Sequence, residues 1–387
     1  MSFCNVLGQE EEILLLEHSL KKGQTPHSQV FIGEDGYGLL LIAISYALKV
    51  VGMSKSFSSE ESTINNSIVH PDIHFFFPNS INSKSKSTQN FLLLWHEFIK
   101  KGGYQSLNDW CEFAGIENKK PVIGVKDSDE FIKSIGLKSF YGGWKCVIVW
   151  HAETMTSSAS NKLLKSIEEP GEKTLFLLLT DNEKKILPTI LSRCQKIKFR
   201  PLSDNKMASY VKSLGVEGVR ANSIVSYAKG NIGLANKLSV DSQFQESLEF
   251  LFIEWVRLAF AAKKNKNIVL KLSSWSQKLA SRNIEFQKRF ISFSILFFRS
   301  AIMTHYKITS NLIVPFSKFD IDSFSNFVHG QNILLIISEL ERSANELNRN
   351  GNPKMVFCDL SFKLTRLLFK VKKIILNNEN SRIDFLF

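Results

Sequence analysis

The stretch from Lys145 to Phe199 limits what this chain can fold into more than any other. Cys146-Val-Ile-Val-Trp150 is a short apolar run rich in β-branched residues, as a strand covered on both faces requires. Ser157 and Ser158 are candidate N-caps, and behind them Ala159, Leu163, Leu164 and Ile167 share one helical face. Pro170-Gly171 stops that helix. Thr174-Leu-Phe-Leu-Leu-Leu-Thr180 reads as a second buried strand. Ile186, Leu187, Ile190 and Leu191 suit a short amphipathic helix that delivers Ser192-Arg193-Cys194, and Lys196 to Phe199 reads as a further strand. Strands alternating with helices in this way predict an α/β parallel sheet.

Upstream, Val6-Leu-Gly-Gln9 leads into an amphipathic helix with Ile13, Leu16 and Leu20. His27 to Gly33 leads into a strand, Gly33-Glu-Asp-Gly36-Tyr-Gly38 is a glycine-rich turn, and Leu39 to Val51 is a helix. Strand, glycine turn and helix form the context of a phosphate-binding loop. A hydrolysing loop follows its last glycine with Lys, which reaches the β/γ-phosphates, and Ser/Thr, whose hydroxyl holds Mg²⁺. Here Leu39 and Leu40 fill those places. Neither neutralises phosphate nor ligates a metal, so the loop reads as a structural turn whose amides retain at most a weak anion affinity. His70-Pro-Asp-Ile-His-Phe-Phe-Phe-Pro78 reads as a strand bounded by prolines. Ser80 to Asn90 is polar and reads as irregular, residues 91–116 as helical, and Ile123 to Ile135 as an edge segment running into a helix near Asp127 or Ser128.

Asn161-Lys-Leu-Leu-Lys-Ser-Ile-Glu-Glu-Pro170, then a buried strand, then Ser192-Arg-Cys194, resembles the core of the bacterial clamp-loader AAA+ subunits of DNA polymerase III. The resemblance extends from Val6-Leu-Gly-Gln9 through the glycine loop and His70 to His74 into the C-terminal helices. It implies α/β plus all-α architecture: an AAA+ P-loop-type sheet domain over 1–200, a small helical lid over 201–240, and a helical oligomerisation (collar) domain over 241–387. Active members close a strand with Asp-Glu for Mg²⁺ and water, whereas this chain has Trp150-His151, then Ala152 and Glu153. His151 is a poor candidate base without a phosphate-gripping partner, and Glu153 reads as a surface or helix-entry charge. After Gly230-Asn-Ile-Gly233, Leu234 stands where active members carry a nucleotide-sensing Arg. Chemistry lost at several nucleotide positions together is what a non-hydrolysing subunit shows.

In that family the arginine matching Arg193, between Ser192 and Cys194, is presented to ATP on a neighbouring subunit. A guanidinium suits the task, being always charged and forked. The plainer reading pairs Arg193 with a local carboxylate such as Glu168. The resemblance implies no bound cofactor, since ATP sits on the neighbour. It implies a hetro-oligomer whose partners are a motor ATPase subunit and a delta subunit, with the sliding clamp and primer–template DNA reached through the complex. Many members carry a four-cysteine zinc module, which this chain replaces with the segment Ser80 to Lys120; no metal site is expected. Rival readings are an active ATPase subunit of the same loader and a DNA-binding module on an inactive AAA+ scaffold.

From Asp241 onward helical stripes dominate: Phe244, Leu248, Leu251, Phe252, Trp255 and Ala259; then Phe286, Phe290, Phe293 and Phe297; then Ile333, Ile336, Ile337 and Leu340. Asn352-Pro-Lys-Met-Val-Phe onward resembles the closing helix of the collar. The 31 Phe residues point to packed cores rather than stacking platforms, and a net charge of +12 suits an anionic partner such as nucleic acid. Cys4, Cys111, Cys146, Cys194 and Cys358 form no CxxC pair, which argues against a zinc ribbon or disulfide framework and fits a reducing cytoplasm. Glu10 to Glu12 stand where a secretion signal carries basic residues, and Phe290 to Phe298 is too short to span a bilayer, so no membrane association is expected.

Overall fold

The apolar runs around Val147 and Leu177 become inner strands because they are covered on both faces. The computed structural model describes residues 6–52, 70–80, 88–116, 121–136, 138–240, 242–262, 268–308 and 321–369. These fall into two units: Met1–Glu217 with Tyr227–Val240, and Gly218–Ser226 with Asp241–Phe387.

In the first unit, helix α1 (Glu10–Lys21) precedes strand β1 (Ser28–Ile32), helix α2 (Leu39–Gly52), and strands β2 (Ile73–Phe76) and β3 (Asn79–Ser80). Helices α3 (Leu92–Lys100) and α4 (Leu107–Phe113), strand β4 (Pro121–Val122) and helix α5 (Val125–Gly136) follow. The central stretch supplies β5 (Lys145–Val149), α6 (Ser157–Glu168), β6 (Thr174–Thr180), α7 (Pro188–Leu191) and β7 (Gln195–Lys198). α8 (Asp204–Ser213) and α10 (Ile232–Val240) complete this unit, and the helix between them, α9 (Gly218–Ala228), belongs through Ser226 to the second.

The sheet is parallel, in the order β2-β5-β6-β1-β7. α2, hydrophobic almost all round, packs on one face with Leu16 of α1, Trp95 and Phe98 of α3, and Trp110 of α4. Leu163 and Ile167 of α6, Ile190 of α7 and Cys194 pack on the other. β1, β5 and β6 run in the same direction, with Ile32 beside Thr180 and Val149 beside Leu178. The turns after these strands therefore meet at one end of the sheet, where open α/β sheets bind ligands.

The expected helix start moves by a residue: the N-cap of α6 is Thr156, whose hydroxyl accepts from the Ala159 N–H at 3.3 Å, rather than Ser157 or Ser158. Within the segment read as irregular, residues 81–87 lie outside the described residues. Thr88 is instead pinned: the buried Asp127 carboxylate accepts from its amide and hydroxyl, each at 2.7 Å, and from Asn79 Nδ2 at 3.0 Å.

The second unit contains α11 (Ser242–Ala261), α12 (Ile268–Ala280), α13 (Ile284–His305), α14 (Ile321–Ser325), α15 (Ile333–Asn348) and α16 (Pro353–Leu368). Among its described residues there is no strand. Leu248, Leu251, Phe252, Trp255 and Ala259 face inward as their spacing predicts; the side chain of Phe244 lies outside the described set. Trp255 stacks on Trp275 at 5.4 Å with the rings 6° from parallel. Both indole N–H groups are satisfied, Trp255 donating to Ser361 Oγ at 2.8 Å and Trp275 to the Leu251 carbonyl at 3.0 Å. No helix among the described residues is long and apolar enough to cross a membrane.

Candidate functional site

The glycine turn after β1 is held by its neighbours rather than left open for a ligand. Gly36 (φ +85°) and Gly38 (φ +87°) use left-handed backbone that glycine adopts without penalty. A Cβ on Gly36 would lie 2.0 Å from Asn231 Oδ1. Asn231 Nδ2 donates to the Asp35 carbonyl at 2.6 Å, and the Ile232 N–H to the Gly36 carbonyl at 3.2 Å. α10 thus begins on the loop itself, and a Cβ on Gly233 would sit 2.2 Å from the Tyr104 carbonyl oxygen. Leu234 caps nothing; its own N–H donates to Asn231 Oδ1 at 2.9 Å.

Leu39 and Leu40 are 8% and 3% exposed and belong to the core on the α2 side of the sheet. The positions that would touch phosphate have become part of the interior. The cleft among Gly33 to Gly36, Gly38 to Leu40, Gln105, Trp150, His151, Thr180 and Asp181 contains no Lys or Arg among the described residues, and its cavity is about 20 Å³. That is room for about one water molecule.

Acidic groups converge there. His151, 3% exposed and in left-handed backbone (φ 53°), places Nδ1 2.6 Å from Glu153 Oε1 and Nε2 3.0 Å from Asp35 Oδ1. Asp35 Oδ2 in turn accepts from the Leu107 N–H at the start of α4, at 2.9 Å. Glu153 does stand at a helix entry, in the short 3-10 helix Ala152–Thr154, but not on the surface: its side chain is only 4% exposed, because His151 gives it a buried partner. Burial alone would lower the His151 pKa, but Asp35 and Glu153 overcome this and hold it well above the ordinary imidazole value. Burial raises Glu153, but the His151 hydrogen bond and charge, together with a Thr180 hydrogen bond, outweigh it and leave the carboxyl below its usual value. Asp181 is pushed up to about 6, first by burial and then by the Glu153 charge.

The raised His151 value fixes the sign of a pH effect. A group that binds its proton more tightly when folded contributes fully below its unfolded value, about 6.5, and loses that contribution as pH climbs through the folded value. The stability advantage of the native chain over His151→Asn, which keeps a residue tolerant of left-handed backbone, is therefore expected to shrink between pH 6.5 and 9. Urea midpoints of both proteins in EDTA-containing buffers measure it; an advantage that grows over that range would contradict the buried imidazolium.

Arg193 lies elsewhere. It precedes β7, whose Gln195 pairs with Gln29 near the start of β1, whereas the glycine turn follows the end of β1. About 13 Å of strand separates the two ends, so Arg193 and the cleft occupy opposite ends of the sheet. The Ser28 hydroxyl donates to the Arg193 carbonyl at 2.7 Å, and Cys194 is buried beside it. The guanidinium donates to the Thr189 carbonyl at 3.0 Å and pairs with Glu168 at 2.8 Å. The side chains of that pair are 41% and 39% exposed, and such a pair contributes only about 0.2–1 kcal/mol. It can be exchanged for another anion at little cost.

Sequence reasoning placed Gly33, Gly36 and Gly38 in one turn with Leu39 and Leu40 opening the helix after it, and weighed His151 and Glu153, but missed Asp35 and Asp181. Asp181 carried a usable signal, as the first residue after a buried strand on the ligand-binding edge of a parallel sheet.

Residues 8–203 match the family described as DNA polymerase III, delta subunit. DNA polymerase III subunit delta' of Bacillus subtilis is 27% identical over 243 residues, 62% of this chain and 61% of that protein. The subunit delta' of Pseudomonas aeruginosa is 49% identical over 86 residues, 22% of this chain and 26% of its own length. DNA polymerase III subunit tau/gamma of Haemophilus influenzae is 25% identical over 210 residues, 54% of this chain and 25% of that protein. The matches thus cover less than two thirds of each relative's length. Among solved structures, a gamma subunit-related protein of Thermotoga maritima aligns at TM-score 0.38 and 14% identity over 91% of this chain and 99% of that one. The fold described above rests on the strands themselves.

Proposed function

We infer the role of this chain from its membership of the DNA polymerase III, delta subunit family, to which it belongs through residues 8–203. It acts as a non-hydrolysing subunit of the delta-prime kind in the clamp loader. It supports ATP-dependent loading of the sliding clamp on primer–template DNA, alongside a motor ATPase subunit and a delta subunit in the cytoplasm. Its AAA+ sheet and lid serve as a scaffold, its C-terminal helices join the collar, and ATP is bound by the neighbouring motor subunit. Arg193 is offered to that ATP.

The observation that carries this reading is the filled cradle. Leu39 and Leu40 are in the core, the cavity has about 20 Å³, and its lining brings Glu34, Asp35 and Asp181 where phosphate needs cations. The placement of an exposed arginine at the opposite end of the sheet adds support, since it cannot serve this chain's own cleft.

ATP hydrolysis by the purified chain, alone and mixed with the motor subunit of its own loader, tests the proposal. No turnover is expected from the chain alone, with stimulation on mixing. Turnover by the chain alone would sink the non-hydrolysing role and revive the active-ATPase reading. Tight, strongly salt-dependent DNA binding by the monomer without stimulation would favour the DNA-binding scaffold instead.

A further inference from the structure

We propose that the cleft left by the lost nucleotide chemistry is a divalent-metal site in its own right, in which His151, Glu153 and Asp181 present one imidazole and two carboxylates to an ion of the zinc class. The inference stands independently of the loader role and needs no nucleotide.

The geometry comes from adjacent inner strands. His151 and Glu153 occupy the turn after β5, and Asp181 follows the last residue of β6; one ligand atom from each lies within 4.8 Å of the others. An N/O donor set with one imidazole and two carboxylates suits borderline first-row ions. The set is not self-satisfied. Glu153 Oε2 is fully buried with no hydrogen-bond partner, on a side chain only 4% exposed. A buried acceptor left unpaired is costly and calls for a partner. The cavity beside His151 and Asp181 holds about 20 Å³, enough for one small ion.

The charge balance points the same way. Asp35, Glu153 and Asp181 face a single imidazole, and among the described residues no Lys or Arg lines the cleft. Nδ1 faces Glu153, whereas Nε2 faces Asp35 at 3.0 Å. The ion therefore sits on the Nδ1 side, with Glu153 and Asp181, while Asp35 orients the ring from behind as an outer carboxylate does in many metal sites. Binding displaces the Nδ1 proton to solvent, so affinity rises with pH.

The test uses the untagged full chain, stripped with EDTA and titrated with CoCl₂. One equivalent is expected to bind, with weak visible d–d bands, no intense near-ultraviolet thiolate band, and displacement by ZnCl₂. Asp181→Asn changes an exposed carboxyl at the cleft mouth and is expected to fold as the native chain does, which circular dichroism checks. Both Asp181→Asn and Glu153→Gln are expected to abolish the one-equivalent binding, and Asp35→Asn to weaken it roughly 10–100-fold. Absence of saturable binding, a thiolate band, or binding unchanged in Asp181→Asn and Glu153→Gln would each overturn the site.

Discussion

Replacing Arg193 by alanine is expected to leave the loader assembled and to slow hydrolysis at the neighbouring ATP site by roughly 10³–10⁵-fold, the usual contribution of an arginine supplied in trans. The structure prepares the side chain for such a task. Its backbone is fixed, because the Arg193 N–H donates to Ile190 and its carbonyl accepts from the buried Ser28 hydroxyl. Its head is 41% exposed and tied to Glu168, the Thr189 carbonyl and, at 3.4 Å, the Ser192 hydroxyl. Two controls separate the finger from a local structural role. Arg193→Lys keeps the charge but loses the planar fork, and is expected to recover little of the rate. Glu168→Ala removes the local partner and is expected to leave the rate intact. Single-turnover ATPase of the reconstituted complex, with co-elution of all subunits as the assembly check, reads each outcome. An Arg193→Ala complex that hydrolyses ATP normally would reduce Arg193 to a surface ion pair.

Trp255→Ala is expected to cost the C-terminal unit about 3–5 kcal/mol, the range for truncating a large buried aromatic. The side chain is 0% exposed, stacks on Trp275, and meets Phe290 at 5.7 Å. Truncation would open a void among these rings and take away the partner of the Ser361 hydroxyl. Leu270→Ala, at a 73% exposed position of the same unit, is the contrasting control and is expected to stay within about 0.5 kcal/mol. Since the chain has two units, unfolding need not be a single transition. The measurement is therefore tryptophan fluorescence across a urea series, in which the transition reported by Trp275, the tryptophan of this unit that the variant keeps, shifts to lower urea.

The elements buried on both faces were legible in the sequence. β5 and β6 announce themselves as unbroken apolar runs, and the stripes through Trp255 and Phe290 hold in the structure because spacing alone determines which face turns inward. The start of α6 was misplaced by a residue, since Thr156, Ser157 and Ser158 are all capable caps and only backbone geometry chooses among them. The loss of phosphate chemistry at Leu39 and Leu40 could be read directly, because a motif fixes which residue types belong there. The convergence of Asp35, Glu153 and Asp181 on His151 could not. Those residues sit on separate segments, and only the parallel register of β1, β6 and β5 brings the ends of the strands together. Glu153 beside an apolar strand end looks like a solvated charge until His151 is known to be buried with it.

The way α10 begins has a mechanical consequence. In a hinge, the moving part is joined by a few yielding torsions and can swing. Here Asn231 grips the Asp35 carbonyl, Ile232 grips that of Gly36, and Gly233 lies too close to Tyr104 to admit a methyl group. The joint is a weld. A force applied to α10 passes straight into the end of β1 and the strands beside it, with no slack to absorb it. A part built this way keeps its angle while its neighbours change theirs.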